Sequence, residues 1–274
     1  MFSLAIGTVI LVFCLAFICE YVDSTLGMGY GTTLTPILLV MGFAPLAVVP
    51  AVLLSELVTG ATAAFLHHRA GNVSFDFRND RTHRIVKKMG KLGYMPRSAD
   101  SRIAMVLGGC SLLGAVVAVF VAVEVPALYL KLFIGVLVLA MGVVILIRRG
   151  RTGRFSWTKI TGLGVLAAFN KGLSGGGYGP LVTSGQILSG VRSSSSVAIT
   201  SLAESFTCLV GVLTYLALGN GIDWSLAPVL VVGAVLSAPI AAWTVKRVDM
   251  NKFTTVVGVA TAILGIVTLY KAFM

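Results

Sequence analysis

Residues 169–180 read F-N-K-G-L-S-G-G-G-Y-G-P and place a lysine and five glycines inside an otherwise apolar region. An earlier stretch, residues 21–32, reads Y-V-D-S-T-L-G-M-G-Y-G-T and falls on it without gaps when the chain is shifted by 148 positions. The same shift continues to match downstream residues, as in Thr35 with Thr183, Glu56 with Glu204 and Thr59 with Thr207. A match of this length predicts an internal duplication.

The composition is that of a membrane protein. Of the 274 residues, 57% are hydrophobic and only 11% are charged, whereas a soluble domain has about 25% charged residues. The runs Ile103–Val123, Tyr129–Ile147 and Leu226–Val245 approach the roughly 20 residues that cross a bilayer as a helix. The sequence therefore predicts an all-α polytopic membrane protein.

The net charge of +11 is concentrated in loops rather than spread over one surface. Most Lys and Arg residues lie in the ranges 69–102, 148–159 and 246–252. Loops of this kind are cytoplasmic by the positive-inside rule, which argues against a nucleic-acid partner. The N-terminus is predicted to lie outside the plasma membrane, because residues 1–22 carry no Lys or Arg. The C-terminus is predicted to lie on the same side, because the last predicted span, Phe253–Tyr270, crosses outward.

The loops also set the order of the two repeats. Residues 1–147 form the predicted first repeat, with the basic loop 69–102; residues 148–159 form a linker; residues 160–274 form the second repeat. Each repeat is predicted to be a glycine-broken helical hairpin followed by three spanning helices. Pro45–Leu66 runs inward while its match Val197–Leu218 runs outward, so the repeats are predicted to be inverted, which is typical of secondary transporters.

The two glycine turns are predicted to lie at membrane depth. Trp157–Asn170 has only about 14 residues, too few for a full span at 1.5 Å per residue. Irregular backbone at this depth survives only where it is buried in protein or lines a cavity. The helices that start near Tyr30 and Tyr178 would then point their N-termini at the midplane, where free N–H groups favour an anion.

The predicted substrate-binding residues are the two turns and their neighbouring hydroxyl, amide and ammonium groups. They are Gly27, Gly29, Tyr30, Gly31, Thr32, Thr33, Asn170, Lys171, Ser174, Gly175, Gly176, Gly177, Tyr178, Gly179 and Thr183.

Charged residues inside the predicted spans indicate function by default. Lys171 could pair with a substrate anion, or it could reach the interface or bridge to Glu20, Asp23 or Glu204. Glu56 and Glu204 lie about ten residues into their helices, near the midplane by helical rise. Each could carry a proton or cap a hairpin turn, and with Asp23 they are the candidate coupling residues.

The remaining polar residues predict no catalytic site, metal site or cofactor, so no enzyme is expected. His67 and His68 are adjacent at a membrane end and are expected to form an interfacial cap. Two alternatives to an anion transporter stay open. One is an anion channel, and the other is a cation transporter that uses Glu20, Asp23, Glu56 and Glu204 as oxygen ligands. The sequence predicts no particular oligomeric state.

The paired turns, the motif N-K-G-L-S-G-G-G-Y-G-P and the downstream Glu56 and Glu204 resemble the TauE/SafE family. The resemblance covers nearly the whole chain apart from loop 69–102, although Met28 stands where the second turn has Gly176. It implies a plasma-membrane permease that exports small sulfur oxoanions such as sulfite, or organosulfonates. The inverted repeats separately predict alternating access around a midplane site, and Glu56, Glu204 and Asp23 make protons the candidate coupling ion.

Overall fold

A computed structural model describes residues 5–78, 94–148, 155–245 and 250–273. Its ten described helices are α1 Ile6–Leu26, α2 Tyr30–Val40, α3 Pro45–Arg69, α4 Ala99–Glu124, α5 Ala127–Arg148, α6 Trp157–Ser174, α7 Tyr178–Leu188, α8 Ser193–Ala217, α9 Ala227–Thr244 and α10 Met250–Phe273. Two short strands, β1 Phe77–Arg78 and β2 Met95–Pro96, pair antiparallel at the base of the basic loop. The predicted all-α class is confirmed.

The outside of the helix bundle is apolar and its inside is polar. Six of the described helices are long and apolar enough to cross a membrane. Large aliphatic side chains such as Leu112, Leu113 and Val136 are more than half exposed, whereas Lys171 and four carboxylates are buried. Soluble proteins rarely expose large contiguous apolar patches, so this distribution places lipid around the bundle and confirms the polytopic membrane class.

A glycine ends the first helix of each half. Gly27 follows α1 with φ 69°, and Gly175 follows α6 with φ 71°. Glycine adopts this left-handed conformation without the steric penalty that a Cβ brings. The chain therefore reverses at once, and α2 and α7 return as helices of only 11 residues each.

The first arm of the second hairpin is longer than the sequence predicted. α6 has 18 residues and continues through Asn170 and Lys171 to Ser174, so the expected end at residue 170 is wrong. The helix continues because Lys171 finds buried partners on neighbouring helices, and the Gly175 N–H still bonds to the Lys171 carbonyl. Lys171 therefore lies within the last turn of a helix rather than in the loop.

The two halves pack through matched contacts. α1 packs on α9 as α4 packs on α6, and α3 packs on α8 as α5 packs on α10. Gly142 faces Ala262 and Gly265 faces Leu139. A shift of 123 positions, which lays α5 on α10, turns one of these contacts into the other. These contacts support the duplication. The opposite orientation of the halves in the membrane and the division at 148–159 stay predictions, and residues 79–93 and 149–154 of the basic segments lie outside the described residues.

Candidate functional site

The tips of the two hairpins, residues 27–31 and 175–179, pack directly against each other. A Cβ built on Gly31 would lie 2.7 Å from the carbonyl carbon of Gly175. A Cβ built on Gly179 would lie 2.6 Å from Cα of Met28. Both neighbours are backbone atoms, so a side chain at either glycine would force the tips apart. The glycines that the sequence assigned to anion binding thus let two backbones touch.

Hydrogen bonds join the tips. The Gly177 N–H donates to Thr32 Oγ1 over 3.0 Å, and Thr183 Oγ1 donates to the Gly27 carbonyl over 2.6 Å. Within the second tip, Ser174 Oγ accepts from the Gly176 N–H at 3.1 Å and also donates to the carbonyl of Asn170 at 2.7 Å.

The remaining members of the predicted set lie close by. Tyr30 and Tyr178 are fully buried, and the Tyr30 hydroxyl lies 2.8 Å from Ser55 Oγ. Thr33 is half-buried, and its N–H donates to the carbonyl of Gly29. The structure therefore brings the predicted residues into one region, most of it buried.

A buried ion cluster lies beside the tips. Lys171 Nζ contacts Glu56 Oε2 and lies 2.7 Å from Glu204 Oε1, and all three side chains are at least nine-tenths buried. Asp23 interacts electrostatically with Lys171 and Glu204, and Glu20 does so with Asp23 and Glu204. We call Lys171, Glu56, Glu204, Asp23 and Glu20 the charged cluster.

The carboxylates of the cluster also bind the N-terminus of α2. The Tyr30 N–H donates to Asp23 Oδ1 and the Gly31 N–H donates to Glu56 Oε1, each over 3.3 Å. These are the N–H groups that the sequence predicted to face an anion. In this structure the chain's own carboxylates take that place, and Glu56 both caps the turn and pairs with Lys171.

The sequence did not place Glu20 in the predicted site and offered it only as an alternative cation ligand or as a bridging partner of Lys171. Glu20 is 1% exposed. It accepts from Ser24 Oγ at 2.6 Å and from Thr59 Oγ1 at 3.2 Å. The signal in the sequence was the four-residue spacing of Glu20 and Ser24, which puts both on one face of α1.

The expected interfacial role of His67 is wrong. Its side chain is fully buried, with Nε2 2.8 Å from the Ser24 carbonyl and Nδ1 2.8 Å from Asn72 Nδ2. His68 is exposed, as a membrane-end residue should be. The 148-position shift places His67 on Tyr215 and Ser24 on Gly172. In the second half the Tyr215 hydroxyl donates to the Gly172 carbonyl over 3.1 Å, just as the His67 ring contacts the Ser24 carbonyl in the first half. The repeat could have revealed this pair of contacts.

We expect His67→Ala to lower the stability of the protein by about 1–3 kcal/mol, because the Ser24 carbonyl and the Asn72 amide would be left buried without this partner. Thermal unfolding in detergent would measure the loss. His68→Ala is the matched control and should cost less, because its bond from the Phe75 N–H is exposed. Equal losses in the two variants would contradict the buried role of His67.

In the part of the chain that the structure describes, no three His, Cys, Asp or Glu side chains are placed to hold a metal ion. The Lys171 ammonium already occupies the position between Glu56 and Glu204.

Known proteins resemble this chain in sequence. Residues 12–78 and 85–268 match the family described as Sulfite exporter TauE/SafE. The chain is also similar to the "Probable membrane transporter protein YtnM" of Bacillus subtilis (strain 168), with 26% identity over 253 residues. That similarity covers 87% of this chain and 75% of the Bacillus protein.

Proposed function

Because the chain belongs to the sulfite exporter TauE/SafE family, we propose that it exports sulfite or an organosulfonate across the plasma membrane by proton-coupled alternating access. The protein is a multi-pass membrane transporter by its family and by its span-length helices. The observation that carries the proposal is Lys171, a fully buried cation held where the two hairpin tips meet.

An anion would bind by replacing carboxylates as the partner of Lys171. The charged cluster has four carboxyl groups and one ammonium, so full ionisation would leave three uncompensated negative charges in the protein interior. Buried charges without partners are costly. Protonation of Glu56 or Glu204 would weaken its contact with Lys171 and free that ammonium for the substrate, and an anion would then bind together with a proton.

Alternating access would require the hairpin tips to part. The tips touch through Gly31 with Gly175 and Gly179 with Gly27, so a substrate between them needs a rearrangement. α5 and its match in the second half, α10, pack antiparallel. Gly135 meets Leu269 and the later Gly142 meets the earlier Ala262. This packing supports inverted repeats, and inverted repeats commonly rock around a site near the membrane midplane.

The test is flux into proteoliposomes that contain the purified protein. We expect saturable uptake of sulfite or methanesulfonate. The uptake should be faster when the imposed proton gradient drives the coupled proton in the same direction as the anion. Sulfate and chloride, added in excess, identify the preferred anion by competition. Glu204→Gln should retain exchange of labelled for unlabelled anion. It should lose the acceleration by the proton gradient, because glutamine cannot take up and release the coupled proton.

The outcomes separate this proposal from its alternatives. Liposomes without protein report leakage, and Lys159→Met, a change at an exposed lysine, controls for the loss of a positive charge. Flux that never saturates and follows voltage alone would establish a channel. Cation flux that depends on Glu56 or Glu204, without anion flux, would replace the proposal by a cation transporter.

A further inference from the structure

A line of buried polar side chains leads away from the hairpin tips along α7 and α8. We call Thr183, Gln186, Ser196 and Thr200 the polar strip, and each is at most 1% exposed. Gln186 Nε2 donates to Thr200 Oγ1 over 2.9 Å, and Thr200 Oγ1 lies 2.8 Å from Thr183 Oγ1. Thr183 donates to the Gly27 carbonyl, so the strip reaches the first tip.

The other end of the strip reaches the protein surface. Ser196 lies one helical turn before Thr200 and shares its face of α8. The adjacent Ser195 donates to the Asn72 carbonyl at 3.2 Å and accepts from Arg192 Nη2 at 3.1 Å. Arg192 is exposed. The strip therefore extends from the first hairpin tip to Ser196, whose chain neighbour Ser195 bonds to the exposed Arg192.

Two atoms of the strip lack partners in the closed arrangement. Gln186 Oε1 and Ser196 Oγ are buried and have no hydrogen-bond partner among the residues that the structure describes. A buried polar atom without a partner destabilises the protein, so such groups call for an explanation. A second conformation, in which this face opens to water, would satisfy both of them, because water can donate to the Gln186 amide oxygen and to the Ser196 hydroxyl.

The matched positions in the first half show that the polarity is not needed for packing. The 148-position shift places Leu38, Val48 and Val52 where the second half has Gln186, Ser196 and Thr200. These three aliphatic side chains are fully buried. At these three positions the same backbone arrangement is thus filled by hydrocarbon in the first half and by hydrogen-bonding groups in the second, whereas Thr183 matches a buried threonine, Thr35.

We propose that the polar strip is the access route by which an oxyanion, with sulfite or sulfonate oxygens, passes between the Arg192 end and Lys171. This inference rests on the proposed function. Neutral hydroxyl and amide donors bind an oxyanion weakly enough to release it onward, and Arg192 attracts it at the mouth. The matched aliphatic side chains at the opposite end make that side a dry barrier until the tips part.

The route is tested by cysteine labelling in proteoliposomes. Ser196→Cys and Thr200→Cys are compared with Val48→Cys and Val52→Cys, all four being small changes of volume. Two methanethiosulfonate reagents of similar size are used, one with a sulfonate and one with a trimethylammonium group, and peptide mass spectrometry reads each site separately from the native cysteines. We expect modification at 196 and 200 to be at least ten times faster than at 48 and 52.

The sulfonate reagent should also react faster than the trimethylammonium reagent at 196 and 200, and methanesulfonate should slow it. Equal rates at the four sites, no reaction at 196 and 200, or preference for the cationic reagent would overturn the route.

Each variant is first shown to elute and unfold like the wild type. As a second test, Gln186→Leu, which copies the matched Leu38, is measured in the flux assay.

The two proposals fail in different ways. We expect Gln186→Leu to slow anion flux at least fivefold while leaving thermal unfolding within a few degrees of wild type. If the protein shows saturable anion flux but the strip is not labelled, the route is overturned and the exporter stands. The same holds if the anion flux of Gln186→Leu equals that of the wild type. Anion-selective labelling of the strip without any anion flux would overturn the exporter instead.

Discussion

Replacing Lys171 by methionine is expected to lower the free energy of unfolding by about 3–5 kcal/mol, because it leaves Glu56 and Glu204 buried without their cation. The same change is expected to abolish saturable anion binding, since it removes the ammonium beside the hairpin tips. Thermal unfolding in detergent would measure the first effect. Calorimetry with sulfite and a short sulfonate would measure the second.

A triple variant separates the two effects. Lys171→Met combined with Glu56→Gln and Glu204→Gln removes the cation together with the two charges it faces, so most of the stability should return while anion binding stays lost. Lys159→Met applies the same substitution to an exposed lysine and should change neither quantity. A Lys171→Met variant that is as stable as wild type and transports normally would rule out both the structural and the substrate role of this lysine.

Replacing Gly31 by alanine is expected to separate the hairpin tips and stop transport. The new Cβ would run into the carbonyl group of Gly175 and lie 3.0 Å from Cα of Gly176. Overpacking of a well-packed interior costs about 1–3 kcal/mol, and the upper end applies because the neighbours are backbone atoms that cannot change rotamer. Thermal unfolding and flux would both report the change.

The repeat supplies the matched comparison for this prediction. Gly179→Ala should act like Gly31→Ala, since its Cβ would meet the Gly27 carbonyl and Met28. Gly109 lies in α4 with nothing within 4 Å of an added Cβ, so Gly109→Ala should be neutral or gain up to about 1 kcal/mol from helix propensity. If Gly31→Ala behaved like Gly109→Ala, the contact between the two tips would be wrong.

The burial of the charged residues followed from their positions in apolar segments, but their partners did not. The sequence predicted Glu56 and Glu204 near the midplane. It left open whether Lys171 pairs with a substrate anion, reaches the interface or bridges to a carboxylate. The structure shows pairing with both glutamates. Which face of a helix meets which neighbour depends on the packing of all ten described helices, and hydropathy does not encode it.

His67 shows why a local pattern was not enough. Adjacent histidines beside Arg69 at a helix end are typical of an interface, and His68 conforms to that pattern. His67, one residue earlier, points about 100° away around the helix and meets α1, which is distant in sequence. The choice between surface and interior at that position was made by a tertiary contact.

By itself, the sequence determined the membrane class, the glycine turns that precede Tyr30 and Tyr178, and the match between the halves. These depend on local quantities: hydrocarbon length, the left-handed conformation open to glycine, and the recurrence of residues at one offset. Only the tertiary structure decided that the two tips touch, that carboxylates take the N–H groups of Tyr30 and Gly31, and that the polar strip reaches the first tip at the Gly27 carbonyl. These features arise from side chains and backbones far apart in the chain, whose meeting depends on how the whole bundle packs.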